Sequence, residues 1–251
     1  MSEKGVVKSR KRIDLQFKLR FDGAFAIQSG FPRGTIDRTV MRGLNGMPYI
    51  PASTLKGRVR DMAERVAPTL GYKNICRAPN PQFMCPELHG IDGEHCIVCR
   101  TFGAPGISAR SGATGLIWRD AKLCDEKGEP LKDIDMAAQN DYYYSRTQAQ
   151  LSRARGVALA KHLFTSENTL EGLLFRGRVR GWMQPTKEFD NGIPEGVVLL
   201  CAALKLLSFV GGGKSRGLGQ CDIEFENMLK IDDKDIQTRL VLELVDQLGK
   251  S

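Results

Sequence analysis

The stretch Ile13-Asp-Leu-Gln-Phe-Lys-Leu-Arg-Phe21 alternates apolar and polar residues without a break. Ile13, Leu15, Phe17, Leu19 and Phe21 fall on one side, and Asp14, Gln16, Lys18 and Arg20 on the other. A period of two marks a strand with one face on a core and the other in water. Two later stretches repeat it. Over Leu173–Trp182, Arg176, Arg178 and Arg180 oppose Phe175 and Val179. Near the C-terminus, Cys221, Ile223 and Phe225 alternate with Asp222, Glu224 and Glu226. A further strand is expected over Gly115–Leu123.

Helical stripes lie between these strands. Leu55, Val59, Met62, Ala63 and Val66 line one face of Pro51–Leu70, with Ser53 or Thr54 as the expected cap. Val197–Val210 is apolar nearly all round, which predicts a buried helix. Ile236, Leu240, Val241, Leu244, Val245 and Leu248 stripe a C-terminal helix. The order strand, helix, strand, strand, helix, strand predicts an α+β, ferredoxin-like domain of RRM-like topology. Its palm is expected to comprise residues 1–70, 107–132 and 165–251.

Three segments fall outside this scheme. Residues 22–48 are rich in glycine and proline and hold no period, which predicts a long loop of the kind that carries function. Residues 71–106 hold a cysteine cluster. Residues 133–164 are polar and contain Tyr142, Tyr143 and Tyr144, followed by Arg146, Arg153 and Arg155. They read as a protruding arm. Its tyrosines suit either stacking on bases or packing on a neighbouring subunit.

Lysine and arginine total 37 against 29 acids, a net charge of +8. That balance favours polyanionic partners, because each neutralised phosphate releases condensed counterions. No run of about 20 apolar residues is present, so no membrane span is expected. Met1–Arg12 is polar and basic without an apolar core behind it, which points to a cytoplasmic protein. The seven cysteines are an odd number, which argues against a disulfide framework.

Four of those cysteines, Cys76, Cys85, Cys96 and Cys99, fall within 24 residues, with His89 and His95 beside them. Zn2+ takes four thiolate or imidazole ligands in a tetrahedron, and a Cys-x2-Cys turn brings two sulfurs to one ion. A structural zinc site on the four cysteines is expected, with His89 or His95 as possible replacements for one of them. Four protein ligands close such a site to catalysis.

The loop Gly211-Gly-Gly-Lys-Ser-Arg-Gly-Leu-Gly219 invites a nucleotide-binding reading that fails. A Walker A loop needs glycine six positions before its lysine, where this chain has Ser208 before Lys214, and it runs from strand to helix. Backbone N–H groups that approach phosphates closely, with Lys214 and Arg216 supplying charge, fit better. Lys56, Arg58 and Arg60 crowd the start of the first helix, where cations oppose the macrodipole and a bound anion would relieve the conflict. Asp37 is the only acid between Gly23 and Arg60. On spacing alone it is an ion pair or turn cap, or else a carboxylate that holds a divalent ion or deprotonates a hydroxyl. His162 reads as structural, and the three histidines assemble no Ser-His-Asp set.

Four segments together resemble the RAMP superfamily, specifically the backbone subunits of type III CRISPR effector complexes. They are Gly34-Thr-Ile-Asp-Arg-Thr-Val40, Gly46-Met-Pro-Tyr-Ile-Pro-Ala-Ser-Thr-Leu-Lys-Gly57, Leu170-Glu-Gly-Leu-Leu-Phe175 and the late glycine loop. The resemblance implies a palm that binds CRISPR guide RNA and polymerises along it with copies or homologues of itself. It implies a thumb, over residues 133–164, that interrupts the duplex of guide and single-stranded target RNA. Asp37 matches an aspartate that supports Mg2+-type divalent-metal-dependent cutting of the target, by attack of a ribose 2′-hydroxyl on the adjacent phosphate. Arg38, Ser53, Lys56, Arg58, Arg60, Gly212, Lys214, Ser215 and Arg216 are the expected RNA contacts. The superfamily also contains backbone members that do not cut and guide-processing endonucleases, which stand as alternatives.

Overall fold

The computed structural model describes residues 9–76, 80–85, 95–104, 115–131, 141–189 and 192–248. The elements in chain order are β1 (Lys11–Phe21), β2 (Tyr49–Ile50), α1 (Ala52–Val66), α2 (Ile97–Phe102), β3 (Ile117–Trp118), β4 (Ala121–Cys124), β5 (Tyr143–Leu151) and β6 (Ala158–Thr169). They continue with β7 (Leu174–Met183), β8 (Glu188–Phe189), β9 (Ile193–Pro194), α3 (Glu195–Lys205), β10 (Cys221–Phe225), β11 (Met228–Ile231), β12 (Lys234–Gln237) and α4 (Thr238–Leu248).

The alternating stretch that opens the chain is the middle strand of the main sheet. One edge of β1 pairs with β7, from Lys11↔Met183 to Arg20↔Leu174. The other edge pairs first with β11 and then with β10, from Phe17↔Phe225 to Phe21↔Cys221. β4 extends the sheet beyond β7, β2 beyond β4 and β12 beyond β11, while β3 also pairs with β7. All these pairings are antiparallel. The chain is thus a mixed α/β fold on an antiparallel sheet.

Ile13, Leu15, Phe17, Leu19 and Phe21 are all 0% exposed. Burying each such side chain contributes about 1.5–3 kcal/mol. Phe21 stacks on Phe25 with ring centroids 4.3 Å apart, and both meet Phe175 edge-on. Gly177 sits opposite Phe17 in the ladder, where a Cβ would lie 2.7 Å from the Phe17 ring, so only glycine leaves that ring its place. The helices cover this face. α3 packs against α1, α2 and α4, and every residue from Glu195 to Leu204 is buried.

Several elements differ from the expectations above. Ile236 belongs to β12, not to the last helix, because Asp232 and Asp233 adopt φ of 51° and 63° and close a two-residue hairpin between β11 and β12. The strand expected over Gly115–Leu123 breaks into β3 and β4. At the break, Asp120 Oδ1 accepts the Ala52 N–H at 2.8 Å. That carboxylate serves the start of α1, so neither Ser53 nor Thr54 caps it; Pro51 is the N-cap residue and makes no side-chain bond. The buried helix stops at Lys205 rather than Val210.

The arm is a hairpin of β5 and β6, in register from Tyr143↔Thr169 to Leu151↔Ala158. It runs past Phe164 to Thr169, and its last four residues, Ser166, Glu167, Asn168 and Thr169, are buried. Residues 132–140, where the arm is expected to begin, lie outside the described residues, as does His89.

Candidate nucleic-acid interface and metal centre

Asp37 is exposed, and its loop lies alongside β6. Asp37 Oδ2 accepts the Thr165 N–H at 2.7 Å, and the Asp37 N–H donates to the Thr165 carbonyl at 3.0 Å. Glu167 N–H donates to the Arg38 carbonyl at 2.8 Å, and Arg38 and Ser166 form a parallel bridge. Two residues on, Glu167 Oε2 accepts the Val40 N–H at 3.0 Å, and its other oxygen pairs with Arg42. The Arg42 guanidinium lies 3.6 Å from the Tyr143 ring centroid, and Tyr143 Oη donates to the Gly46 carbonyl at 2.9 Å. Burial pushes the Tyr143 phenol up, against the pull of Arg42, so it remains a donor. A loop without regular structure is held along one strand by alternate residues. It leaves the second oxygen of Asp37 without a hydrogen bond to a described residue.

The glycine loop closes the other side. Gly212 N–H donates to the Ala26 carbonyl and Gly219 N–H to the Ala24 carbonyl, both at 2.9 Å. Gly213 and Gly217, at φ of 77° and 78°, flank a single 3-10 turn of Lys214, Ser215 and Arg216. This geometry needs glycine: a Cβ on Gly219 would sit 2.2 Å from the Val210 carbonyl. Lys214 Nζ stands 4.7 Å over the Phe209 ring. Arg216 Nη1 donates to Gln148 Oε1 of the hairpin at 2.7 Å, and Gln148 Nε2 donates to Ser166 Oγ at 3.2 Å. Arg38 lies over the Phe164 ring at 5.1 Å. Arg38, Gly212 and Arg216 therefore line one cleft with the hairpin residues Gln148, Phe164, Ser166 and Asn168.

The expected contacts on α1 divide. Ser53 is exposed and Lys56 half-buried. Burial, then the Arg60 charge, holds the Lys56 ammonium below its ordinary range. Arg58 pairs with Asp61 at 3.2 Å and also reaches the Phe209 carbonyl, at 3.4 Å from Nε, which braces the chain leading into the glycine loop. Arg60 pairs with Glu64 at 3.0 Å, donates to the Gly103 carbonyl at 2.7 Å and reaches Cys99 Sγ at 3.5 Å. The structure thus brings Arg60 to the cysteine cluster, not to the cleft.

The Sγ atoms of Cys76, Cys85, Cys96 and Cys99 lie within 4.8 Å of one another, all buried. Cys76 Sγ is 3.4 Å from those of Cys85 and Cys99 and 3.6 Å from that of Cys96. Zinc–sulfur bonds of about 2.3 Å in a tetrahedron require sulfurs about 3.8 Å apart, so the four can hold such an ion with movements of up to about 1 Å. Three donors face the sulfurs and favour thiolate: Cys85 N–H to Cys76 at 3.0 Å, Cys96 N–H to Cys85 at 3.4 Å, and Arg60. His95 is not among the converging atoms. The other cysteines are sealed off. Burial pushes the thiols of Cys201 and Cys221 up to about 12 and that of Cys124 up to about 11.

The open face of the sheet carries the polar side of β1 and the arginines of β7, and its charges are largely paired. Arg178 bonds Asp14, Arg20 bonds Glu224, and Arg176 bonds Gln16 and lies near Glu129. Arg180, exposed on the same face, is in none of these ion pairs. Of the tyrosine run, Tyr143 is engaged with Arg42 and Tyr142 packs on the core, while Tyr144 is exposed.

The sequence profile of the RAMP superfamily matches residues 18–222. The chain belongs to the RAMP superfamily. Two similar proteins carry the name CRISPR system Cms endoribonuclease Csm3. That of Methanocaldococcus jannaschii is 27% identical over 189 residues, 74% of this chain and 67% of the relative. That of Methanothermobacter thermautotrophicus is 26% identical over 219 residues, 81% and 78% respectively. A chain in a cryo-EM structure of the type III-B Cmr-beta bound to cognate target RNA aligns with a TM-score of 0.56 at 12% identity, over 84% of this chain and 96% of that one. This likeness is one of fold. Among the described residues of this RAMP chain, no helix is long and apolar enough to cross a membrane.

Thr165, Ser166, Glu167, Gln148 and Arg42 are the residues that sequence patterns did not single out. Their only signal was the polar run Ser166-Glu-Asn-Thr169 ending a strand that leads straight into β7.

Proposed function

We propose that this chain is a guide-RNA-binding backbone subunit of a type III CRISPR ribonucleoprotein, acting in the cytoplasm, that cuts bound target RNA at regular intervals. The observation that carries the reading is the setting of Asp37. A strand fixes one oxygen of this surface carboxylate, the other is open, and Arg38 and Arg216 stand at the adjoining cleft. The two relatives, both named endoribonucleases, agree with it.

In this reading β4, β7, β1 and β10, with α1 and α3, form a ferredoxin-like palm, since their spatial order β10-β1-β7-β4 is that of the ferredoxin fold. The β5–β6 hairpin is the thumb. Guide phosphates lie against Ser53, Lys56 and the glycine loop, where Lys214 and Arg216 supply charge, Ser215 a hydroxyl, and Gly212, whose N–H is taken by the Ala26 carbonyl, lets the backbone approach closely. Asp37 orients the ribose 2′-hydroxyl for attack on the adjacent phosphate; the 2′-oxygen bonds to phosphorus as its proton leaves, the P–O5′ bond breaks, and the products are a 2′,3′-cyclic phosphate and a 5′-hydroxyl that takes up a proton. The open oxygen of Asp37 would hold a divalent ion, which would supply positive charge to the reacting phosphate. Arg38 offsets further negative charge nearby. The four cysteines hold a structural Zn2+ that fixes α2 against α1 and α3.

A second reading, a backbone subunit that binds RNA without cutting, is favoured by one fact: Asp37 already serves as the acceptor that fastens its loop. The deciding experiment is target cleavage by the assembled complex, wild type against Asp37→Ala, with Mg2+ and with EDTA. Regular cuts by the wild type with Mg2+ alone, and binding without cutting by the variant, are expected. Equal cutting by both makes the chain a scaffold.

A further inference from the structure

Arg60 lies on α1, outside the segment that carries the four cysteines, yet its guanidinium reaches into that segment. Nη2 donates to Cys99 Sγ at 3.5 Å and Nη1 to the Gly103 carbonyl at 2.7 Å. The fork thus closes on the last turn of α2 and on the glycine that ends it. Nε donates to Glu64 Oε1 at 3.0 Å, one turn along α1, which fixes the plane of the guanidinium. Both side chains are mostly buried, at 20% and 18% exposure. The Cys99 carbonyl accepts the Gly103 N–H at 2.8 Å, so this cysteine is held at its backbone and at its sulfur. Four thiolates around one Zn2+ leave an excess of negative charge in a buried place, and buried charge is costly unless it is paired. The Cys85 and Cys96 N–H groups that face the sulfurs are neutral. Among the described residues, Arg60 is the one charged side chain with a hydrogen bond to a ligand sulfur.

We propose that Arg60 is a positioning residue of the metal centre: it orients the Cys99 sulfur and offsets the charge of the tetrathiolate. The helix α1 then completes a site whose ligands all lie in another segment. The inference rests on the zinc reading above and goes beyond it, because the four ligands by themselves assign no role to α1. Arginine suits the task. Its planar fork meets a sulfur and a carbonyl at once and leaves Nε for Glu64, whereas a lysine ammonium is a point charge that cannot keep all three directions. Groups that hold a metal ligand from behind set its orientation, and losing one typically weakens metal binding about 10–100-fold. The coupling runs both ways, so metal on the cysteines in turn steadies the helix that carries Ser53 and Lys56. Arg60 thereby leaves the set of phosphate contacts.

The test uses the purified full chain, with Zn2+ affinity read by competition with a chromophoric chelator and the sulfur environment read from the charge-transfer bands of the Co2+-substituted protein. Thermal melts in excess zinc establish that each variant folds. Arg60→Met should raise the zinc Kd about 10–100-fold. It should also move the cobalt bands to longer wavelength, because a sulfur without its N–H donor gives up charge to the metal more easily. Glu64→Gln breaks the ion pair on α1 but keeps the donor on Cys99, and should leave both readouts close to wild type. Arg60→Lys should fall between. If Arg60→Met fails to fold, the Lys variant carries the comparison, and unshifted cobalt bands there overturn the inference. A folded Arg60→Met with wild-type zinc affinity and bands overturns it and leaves the zinc reading standing. So does Glu64→Gln that weakens zinc as much as Arg60→Met, since the pair would then be a helix contact only. A slope of RNA affinity against salt that drops by about 0.7 in Arg60→Met, with zinc affinity unchanged, assigns the residue to a phosphate and also overturns it. A wild-type chain that takes up no stoichiometric zinc overturns both.

Discussion

On the proposed reading Asp37 both fastens its loop and takes part in cutting, and different substitutions separate the two. Asp37→Ala removes the acceptor of the Thr165 N–H, a 2.7 Å bond to a charged group. Such bonds contribute about 1.5–3 kcal/mol, and the exposed position puts this one near the lower end. The backbone bond from Asp37 N–H to the Thr165 carbonyl survives, so the loop loosens without leaving β6. In a chain of this size about 1.5 kcal/mol corresponds to a fall of about 3–6 °C in Tm. Asp37→Asn keeps an oxygen where Oδ2 stands and loses only the charge, so its Tm should fall by no more than about 2 °C. Neither variant retains an ionised carboxylate, and both should lose cleavage by about 10^2–10^4-fold. Calorimetry on the purified chain and single-turnover cleavage by the assembled complex measure the two effects independently. A normal cutting rate for folded Asp37→Asn would refute the chemical role. Equal destabilisation by Asn and Ala would refute the claim that Oδ2 fastens the loop.

Three other outcomes are expected. Stripping the metal, or Cys96→Ser, should lower Tm by on the order of 10 °C and open residues 71–104 to protease, since the cysteines lie in the same core as α1 and α3; unchanged proteolysis would count against a metal there. Arg42→Met leaves Glu167, 4% exposed, without its cation and should cost about 3–5 kcal/mol by urea unfolding, most of it recovered by adding Glu167→Gln. The hydrogen bond and charge of Arg178 hold the Asp14 carboxyl below its ordinary 3.8. The stability it contributes is therefore present above that value and lost as pH falls through the lower folded one, and Asp14→Asn should flatten stability against pH in that acid range.

The strands on the core could be read because burial on one face imposes a period of two, and β1 shows it over nine residues, Ile13 to Phe21. Ile236 was misread because it continues the stripe of Leu240 and Leu244 as well as it fits a strand. The turn Asp232-Asp233, which decides the matter, lacks the glycine that usually marks such a hairpin. The hairpin β5–β6 projects from the sheet, with most of β5 exposed, so no apolar face records it. The cysteine cluster was legible because four cysteines crowd 24 residues and Cys96-x2-Cys99 has ligand spacing, and the four sulfurs do converge. Arg60 pointed to phosphates only while Glu64, one turn along, was left out of account. Asp37 stood out as a lone acid, but nothing near it in sequence foretells Thr165, 128 residues later.

That separation also sets a clock on the molecule. The carboxylate at position 37 reaches its place beside β6 only when Thr165–Thr169 are present to hold its loop, and the adjoining cleft forms only with Gly211–Gly219. At ribosomal rates of about 5–20 residues per second, the interval between emergence of residue 37 and of residue 219 is roughly 10–40 s. Contacts of such long range are also among the slowest to form once the chain is free. An unfinished chain therefore carries Asp37 without the cleft beside it, and segments translated much later are what complete the surroundings of an early residue.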